Sequence, residues 1–469
     1  MLPKIARPFV TFSDRFAPDA LVFAVILTII TFILSITVAE KSVVSTVMAW
    51  GDSYWKLLNF MTQIAIMLMA GSVLANSPPM MKGIRWVASK IHKASHAYAL
   101  VCLLSAFAAL LSWGASLVIG AVLARETAKT CHERGLVVHY PLLAASAYSG
   151  FVLWHQGLSS TIGLKVAEPN HFLAEKIGCA VEYLDRFQCV GERSPFLADK
   201  IGVIPLSDIL LLNSSVVTLV ILLVTLPLLM MYLHPKDEDR CQVYQPVVEY
   251  SDEDEVTPQK NMSWTERLSH TYFVNAFVIA LGGFYLIYKH IVLGVNMNLN
   301  SMNLILIVLG FLLIKSTAAY VQKVSVSGRA LGIILIQFPF YAGIMGMMSS
   351  AGLTEMISDA LTSFATAKTL PFWAFISGGI VNMFVPSGVG QWALQGPVMV
   401  EAALSLNADI PATLLGVMMG DQWSNMIQPF WMLPILALLG LKLHQIIGYC
   451  AMTFVWSGIV FGGSLLLLT

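Results

Sequence analysis

Two stretches of this sequence gather polar residues and helix breakers inside text otherwise apolar enough for a bilayer. One runs from Asn382 to Pro429 and reads N-M-F-V-P-S-G-V-G-Q-W-A-L-Q-G-P, then, further on, G-D-Q-W-S-N-M-I-Q-P. Non-helical backbone survives at membrane depth only where protein buries it or it lines a wet cavity, so chemistry is expected here. Gly388 and Gly390 allow a tight turn beside Pro386 and Ser387, one helical turn after Asn382. The helix beyond presents unpaired N–H groups and a positive dipole end, which suit a carboxylate. In the second motif Pro429 removes one N–H and crowds the carbonyl of Asn425, freeing backbone oxygens for a cation; Ser424 and Asn425 add side-chain oxygens. The competing reading is a kinked helix whose Ser and Asn bond neighbouring helices.

The first half of the chain offers a matching set. Ser112, Trp113, Gly114 and Ser116 mark one turn, and Tyr148, Ser149, Gly150, Trp154, His155, Gln156, Gly157, Ser159, Ser160 and Thr161 lie along a second broken segment. Small residues also serve close helix packing, so that alternative stands beside the functional one. His155 and Asp421 are the two ionisable residues placed deepest beside the breaks. Such groups are costly in a membrane and mark pathways or proton relays, although a packing histidine and a capping carboxylate remain open. Neither turn nor break holds an Arg or Lys, which favours a small monoanion over a dianion. His92 and His96, spaced i, i+4 with no carboxylate partner, do not read as a metal site. No nucleophile elbow, Walker loop or H-E-x-x-H occurs, so enzymatic function is not expected.

The elements that must position these residues follow from composition. Of 469 residues 57% are hydrophobic and 12% charged, and the mean hydropathy is +0.74, the profile of a polytopic membrane protein. The formal net charge is zero and no basic face suggests nucleic acid. Windows long enough to cross about 30 Å of hydrocarbon lie at Ala20 to Ala39, Leu57 to Asn76, His139 to Ile162, Ser207 to Met231, Tyr272 to Val292, Met302 to Val321, Leu331 to Ser350, Pro411 to Leu439 and Ile446 to Leu468. The first reads as a retained span, being too long for a signal peptide.

Lys4, Arg7 and Arg15 place the N-terminus in the cytoplasm. Ala97 to Ala124 has basic clusters on both sides (Lys82, Arg85, Lys90, Lys93; Arg125, Lys129, Arg134) and reads as a re-entrant hairpin turning at Ser112-Trp113-Gly114-Ala115-Ser116. Phe372 to Leu404 is its counterpart, dipping from outside, and the C-terminus ends outside. The chain divides into a first repeat at 1–231 (hairpin 97–124, broken helix 139–162) and an acidic, solvated cytoplasmic linker at 232–271. A linking helix and the second repeat follow at 272–469 (hairpin 372–404, broken helix 411–439). Pro141 and Pro411, Gly150 and Gly420, and Gly120 and Gly390 are each 270 positions apart. The expected fold is an all-α polytopic membrane protein of inverted repeats, with two re-entrant helical hairpins and two broken transmembrane helices, the layout of secondary transporters. Cys179 and Cys189 share a polar loop and pair only if it faces an oxidising compartment.

The whole chain resembles the short-chain fatty acid uptake family of the ion-transporter superfamily. The resemblance rests on T-F-S-D-R-F-A-P-D near Phe12, S-W-G-A-S at Ser112, W-H-Q-G-L-S-S at Trp154, V-P-S-G-V-G-Q-W at Val385 and G-D-Q-W-S-N-M-I-Q-P at Gly420. It implies a scaffold domain, often dimerising, and a transport domain of the hairpins and broken spans, with elevator-like motion in a bacterial inner membrane. The expected activity is cation-coupled symport of short-chain monocarboxylates such as butyrate or acetoacetate, with dicarboxylates or other organic anions as the alternative. Ser112, Gly114, Ser116, Ser149, Gly150 and His155 are expected to form one cation or substrate half-site. Asn382, Ser387, Gly388, Gly390, Asp421, Ser424 and Asn425 form the other. No cofactor is expected beyond Na+ or H+ as coupling ion, with Ser112, Ser116, Ser387 and Asn425 as Na+ ligands.

Overall fold

Helix ends fall where the sequence supplies caps and prolines. Asp19, Ser42, Ser160, Ser387 and Asp409 each accept a backbone N–H at a helix start, and Pro78, Pro141, Pro371, Pro411 and Pro429 sit in first turns where their missing N–H costs nothing. Gly352 and Gly440 close helices in the left-handed conformation (φ 71° and 66°). The computed structural model describes residues 6–16, 18–167, 179–182, 186–189, 204–235, 241–244, 262–295, 297, 299–328 and 331–469. Among the described residues the apolar segments are helical apart from the turns and breaks given below. The one short ladder among the described residues is an antiparallel pair, Cys179–Glu182 with Arg186–Cys189, which sets Cys179 opposite Cys189 in backbone register. The side chains of that insert lie outside the described residues, and the Cys179–Cys189 pairing with them.

Among the described residues six helices are long and apolar enough to cross a membrane: Ala20–Thr37, Leu58–Ala75, Ala94–Leu111, Asn213–Tyr232, Phe273–Val292 and Leu443–Leu467. One expected crossing differs. The window Met302 to Val321 holds two helices, Leu299–Leu313 and Thr317–Gly328, parted at Lys315. Asn275, buried on the neighbouring helix, causes the early stop: its Nδ2 donates to the carbonyls of Phe311 and Ile314 and its Oδ1 accepts from Thr317 Oγ1. Freed carbonyls at a helix end need such a partner in a membrane.

The first hairpin is Ala94–Leu111 and Trp113–Glu133, joined by one extended residue, Ser112 (φ −154°, ψ 112°). The turn is thus tighter than expected, and Trp113 to Ser116 already belong to the second arm. The second hairpin is Leu370–Phe384 and Gly388–Ser405, turning at Val385-Pro386-Ser387. Both broken helices are present. The first comprises Tyr140–Gly150, a 3-10 turn Phe151–Gln156 and, after the break, Thr161–Val166. The second comprises Ile410–Ser424 and Pro429–Leu439.

Each half therefore runs hairpin then broken helix, and in each the hairpin's first arm packs on the broken helix beside it. Glycine permits the close approach. A Cβ at Gly420 would lie 2.3 Å from Phe375 O and 2.6 Å from Gly379 N, and one at Gly150 2.5 Å from Ala106 N. Every residue of Tyr140–Gln156 is buried, whereas only 6% of Phe273–Val292 is. Hydrophobic text on all sides of a helix has two homes, the centre of the bundle and its lipid-facing rim, and these segments occupy one each. Around the central block stand Ala20–Thr37 and Val43–Ser53 against Gly332–Ala351, and Leu58–Ala75 against Leu299–Leu313 and Thr317–Gly328.

Candidate functional site

The two broken helices cross antiparallel at their breaks. Tyr148 Oη donates to the Asn425 carbonyl (2.7 Å) while, further along the first helix but earlier along the second, His155 N donates to Gln422 Oε1 (2.8 Å). The crossing brings His155 Nε2 to 3.1 Å from Asp421 Oδ2, both side chains fully buried. His155 Nδ1 lies 2.8 Å from Ser160 Oγ, which also accepts from Gly163 N and caps the helix after the break. With the Ser160 hydroxyl donating to Nδ1, the Nε2 proton is directed at Asp421. Trp154 stacks on the imidazole at 3.6 Å.

Beside this pair the second hairpin supplies Asn382. Its Nδ2 lies 2.9 Å from Asp421 O, 2.8 Å from Ser424 Oγ and 2.7 Å from Asn425 Oδ1. An amide nitrogen carries two hydrogens, so three oxygens converge where two can be served. Asp421 Oδ1 is close too, 3.4 Å from Asn425 Nδ2. Gln428 holds the hairpin end by donating to the carbonyls of Asn382 and Met383. The hairpin tip closes over the pair: a Cβ at Gly388 would meet Thr161 Oγ1 at 2.4 Å, Asp421 Oδ2 at 2.9 Å and His155 Nε2 at 3.4 Å.

Several buried polar atoms around the crossing have no hydrogen-bond partner among the described residues: Thr161 Oγ1, Asn382 Oδ1, Gln422 Nε2, Gln428 Oε1 and the indole nitrogens of Trp154 and Trp431. Each unmet group costs about 1–3 kcal/mol, so such a concentration points to a ligand or ordered water. Trp113, Trp154, Phe151 and Trp431 form a closed circuit of rings with centroids 5.2–6.1 Å apart. It joins the first hairpin tip, the first break and the second broken helix.

The expected site residues divide. His155, Asn382, Gly388, Asp421, Ser424 and Asn425 come together. Ser112 and Ser116 stay at the first tip, where Ser116 Oγ donates to Trp113 O and Trp113 N donates to Ser159 Oγ. Ser387 caps Gly390 N at 3.4 Å, and Gly390 lies against Met345. Gly114 abuts Met67, Ser149 Oγ lies 2.7 Å from Thr453 Oγ1, and Gly150 packs on the first hairpin arm. Ser112 and Ser116 lie at the first hairpin tip, Ser387 at the second and Asn425 at the second break. The oxygens that do converge are those of Asp421, Ser424 and Asn425, with Asn382 Oδ1 unpartnered beside them. Backbone carbonyl, hydroxyl and amide oxygens form a donor set suited to Na+.

A family model described as short chain fatty acid transporter matches residues 1–468. The chain belongs to the short-chain fatty acid transporter family. Two curated members, each provisionally named a short-chain fatty acid transporter, come from Escherichia coli K12 (34% identical) and Haemophilus influenzae Rd (31% identical), and each match covers 98% of both chains. Among solved structures, the MtrF antimetabolite efflux pump of Neisseria gonorrhoeae aligns over 99% of this chain and 97% of that one, at 15% identity and a TM-score of 0.43. As a short-chain fatty acid transporter family member, this multi-pass membrane protein moves its substrate rather than transforming it.

Proposed function

We propose that the protein is a cation-coupled symporter of short-chain monocarboxylates such as butyrate or acetoacetate. The observation that carries this reading is the crossing of the two broken helices, where an oxygen-rich cluster and unpartnered N–H donors share one buried site. Asn382, Asp421, Ser424 and Asn425 would hold Na+, while Gln422 Nε2 and the indole N–H groups of Trp154 and Trp431 would receive the carboxylate. The aromatic circuit would face the acyl chain. A cation and a monoanion in adjacent shells neutralise each other, which lowers the cost of burying both and couples their binding. Both curated relatives are named for fatty acids, which weighs against the dicarboxylate alternative. A second reading is proton coupling through His155 and Asp421, favoured by their 3.1 Å separation.

For the motion, both hairpins and both broken helices pack on one another and would slide as one elevator block against the surrounding helices. Each hairpin would be re-entrant, its tip meeting a break at membrane mid-depth. A homodimer in a bacterial inner membrane, with the N-terminus cytoplasmic, completes the proposal. The test is uptake of labelled butyrate by purified protein in liposomes, under an inward Na+ gradient and separately an inward H+ gradient, with a protonophore control. Accumulation above equilibrium with one ion establishes symport and names the ion. No protein-dependent accumulation with either overturns the assignment.

A further inference from the structure

A second candidate binding site lies outside the transport machinery, where the helix Pro78–Ser89 meets the start of the first hairpin. This helix is amphipathic: Met81, Ile84 and Ala88 are buried, while Lys82, Trp86 and Ser89 face outward, the pattern of a helix lying in the membrane interface. Trp86 is 65% exposed, as expected of an aromatic at headgroup level. Beside it a groove of about 340 Å³ is lined by Val87, Ile91, Ala99, Leu100, Leu103 and Pro227, with Trp86, Lys90 and His96 at its rim. Its size falls in the range of about 300–1,000 Å³ typical of small-ligand sites.

The rim carries one charged side chain, Lys90, with the His96 imidazole beside the same groove. Lys90 Nζ sits 5.5 Å from the centroid of the Trp86 ring, and no carboxylate lies within ion-pair distance of Lys90 or His96 among the described residues. Arg134 is drawn to the same turn, donating to the carbonyls of Ser89 (2.8 Å) and Ile91 (2.7 Å). Glu126, on the hairpin arm that Arg134 follows, is engaged by Arg85 and Arg125 instead. We propose that this groove is a binding site for an anionic phospholipid, its acyl chain in the apolar trough and its phosphate on Lys90, His96 and Arg134. Apolar wall, outward-facing tryptophan and the basic side chains Lys90 and Arg134 at the same turn match the three parts of such a lipid in order of depth. A zwitterionic lipid fits the trough equally but gains nothing from the unbalanced cations.

Native mass spectrometry of the full-length protein, titrated with phosphatidylglycerol or phosphatidylcholine, tests this independently of transport. Wild type is expected to retain phosphatidylglycerol preferentially. Lys90→Gln and His96→Gln should each weaken that retention, the lysine by about fivefold, without affecting phosphatidylcholine. Ala99→Phe, which fills the trough and leaves the charges, should weaken both lipids. Thermal unfolding in detergent checks that each variant is folded; Lys90 and His96 are both exposed, so their replacements keep the test valid if Ala99→Phe fails to fold. Equal retention of the two lipids by wild type overturns the proposal, as does an unchanged preference in the Lys90→Gln, His96→Gln double variant. Displacement of bound phosphatidylglycerol by millimolar inorganic phosphate overturns the lipid assignment, because a bare anion site would not need the trough.

Discussion

Gly420→Ala puts the close pairing of hairpin and broken helix to a quantitative test. The added Cβ would lie 2.3 Å from Phe375 O, 2.6 Å from Gly379 N and 2.9 Å from Gly378 C, all backbone atoms that no rotamer change can move. Reaching an ordinary contact requires the two helices to part by about 1 Å. Asn382 lies two turns along the same hairpin arm and reaches its three oxygens at 2.7–2.9 Å. A 1 Å separation takes these beyond about 3.2 Å, where the bonds are lost. Overpacking costs about 1–3 kcal/mol. Two lost hydrogen bonds at about 1 kcal/mol each weaken cation binding by roughly thirtyfold. The variant should therefore insert, show a lowered unfolding temperature in detergent, and take up labelled butyrate at least tenfold more slowly at limiting cation. Gly463→Ala on the terminal helix, where nothing lies within 4 Å, is the control and should leave both measurements unchanged. Wild-type uptake and wild-type unfolding temperature for Gly420→Ala would refute the reasoning.

Asn425→Ala should abolish coupled uptake while leaving a folded protein, read by liposome uptake beside a thermal melt; near wild-type uptake removes Asn425 from the site. Breaking the buried His155–Asp421 contact from one side, by Asp421→Asn or His155→Gln, should cost about 3–5 kcal/mol if the pair is ionic, and the double variant should be more stable than either single one. Additive losses in that cycle would show that the two side chains do not depend on each other. Trp154→Phe and Trp431→Phe keep an aromatic face and delete an unpartnered N–H, so each should raise the KM for butyrate, with a modest loss of stability from the smaller ring. A fall in stability with unchanged KM would assign the indoles to packing alone. Glu126→Gln should destabilise the join between the first hairpin and Pro78–Ser89, because Glu126 is buried between Arg85 and Arg125; unfolding temperature measures it.

The breaks are legible in the sequence because their causes are local. Pro429 cannot continue the preceding helix, and Ser160 caps a new one whether or not a partner is near. The turns at Ser112 and at Val385-Pro386-Ser387 are legible from polar and helix-breaking residues inside long apolar runs. What sequence does not separate is a glycine or serine that binds from one that packs. Gly114, Ser149 and Gly150 have the residue types of a ligand site, yet they lie against Met67, Thr453 and the backbone of Ala106. The partnership of His155 with Asp421 spans 266 positions and needs the tertiary crossing to become visible. Trp431 reads as an ordinary apolar residue of a span, and its indole N–H shows itself unpartnered only in the folded chain. The interfacial helix Pro78–Ser89 carries its own signal in the spacing of Met81, Ile84 and Ala88, which a hydropathy window averages away.

The bonds between each hairpin and its neighbouring break bear on how the chain is built into the membrane. Leu158 N donates to the carbonyl of Leu110 and Trp113 N to Ser159 Oγ; in the second half Asn382 Nδ2 donates to the carbonyl of Asp421 and Gln428 Nε2 to that of Asn382. An interrupted helix arriving alone in lipid would carry bare backbone groups at several kcal/mol each. In both halves the hairpin is synthesised first, so by the time the ribosome delivers the interruption its hydrogen-bond partners are already in the bilayer. The order of elements along the chain thereby acts as an assembly sequence, with each hairpin serving as a docking template for the helix that follows it.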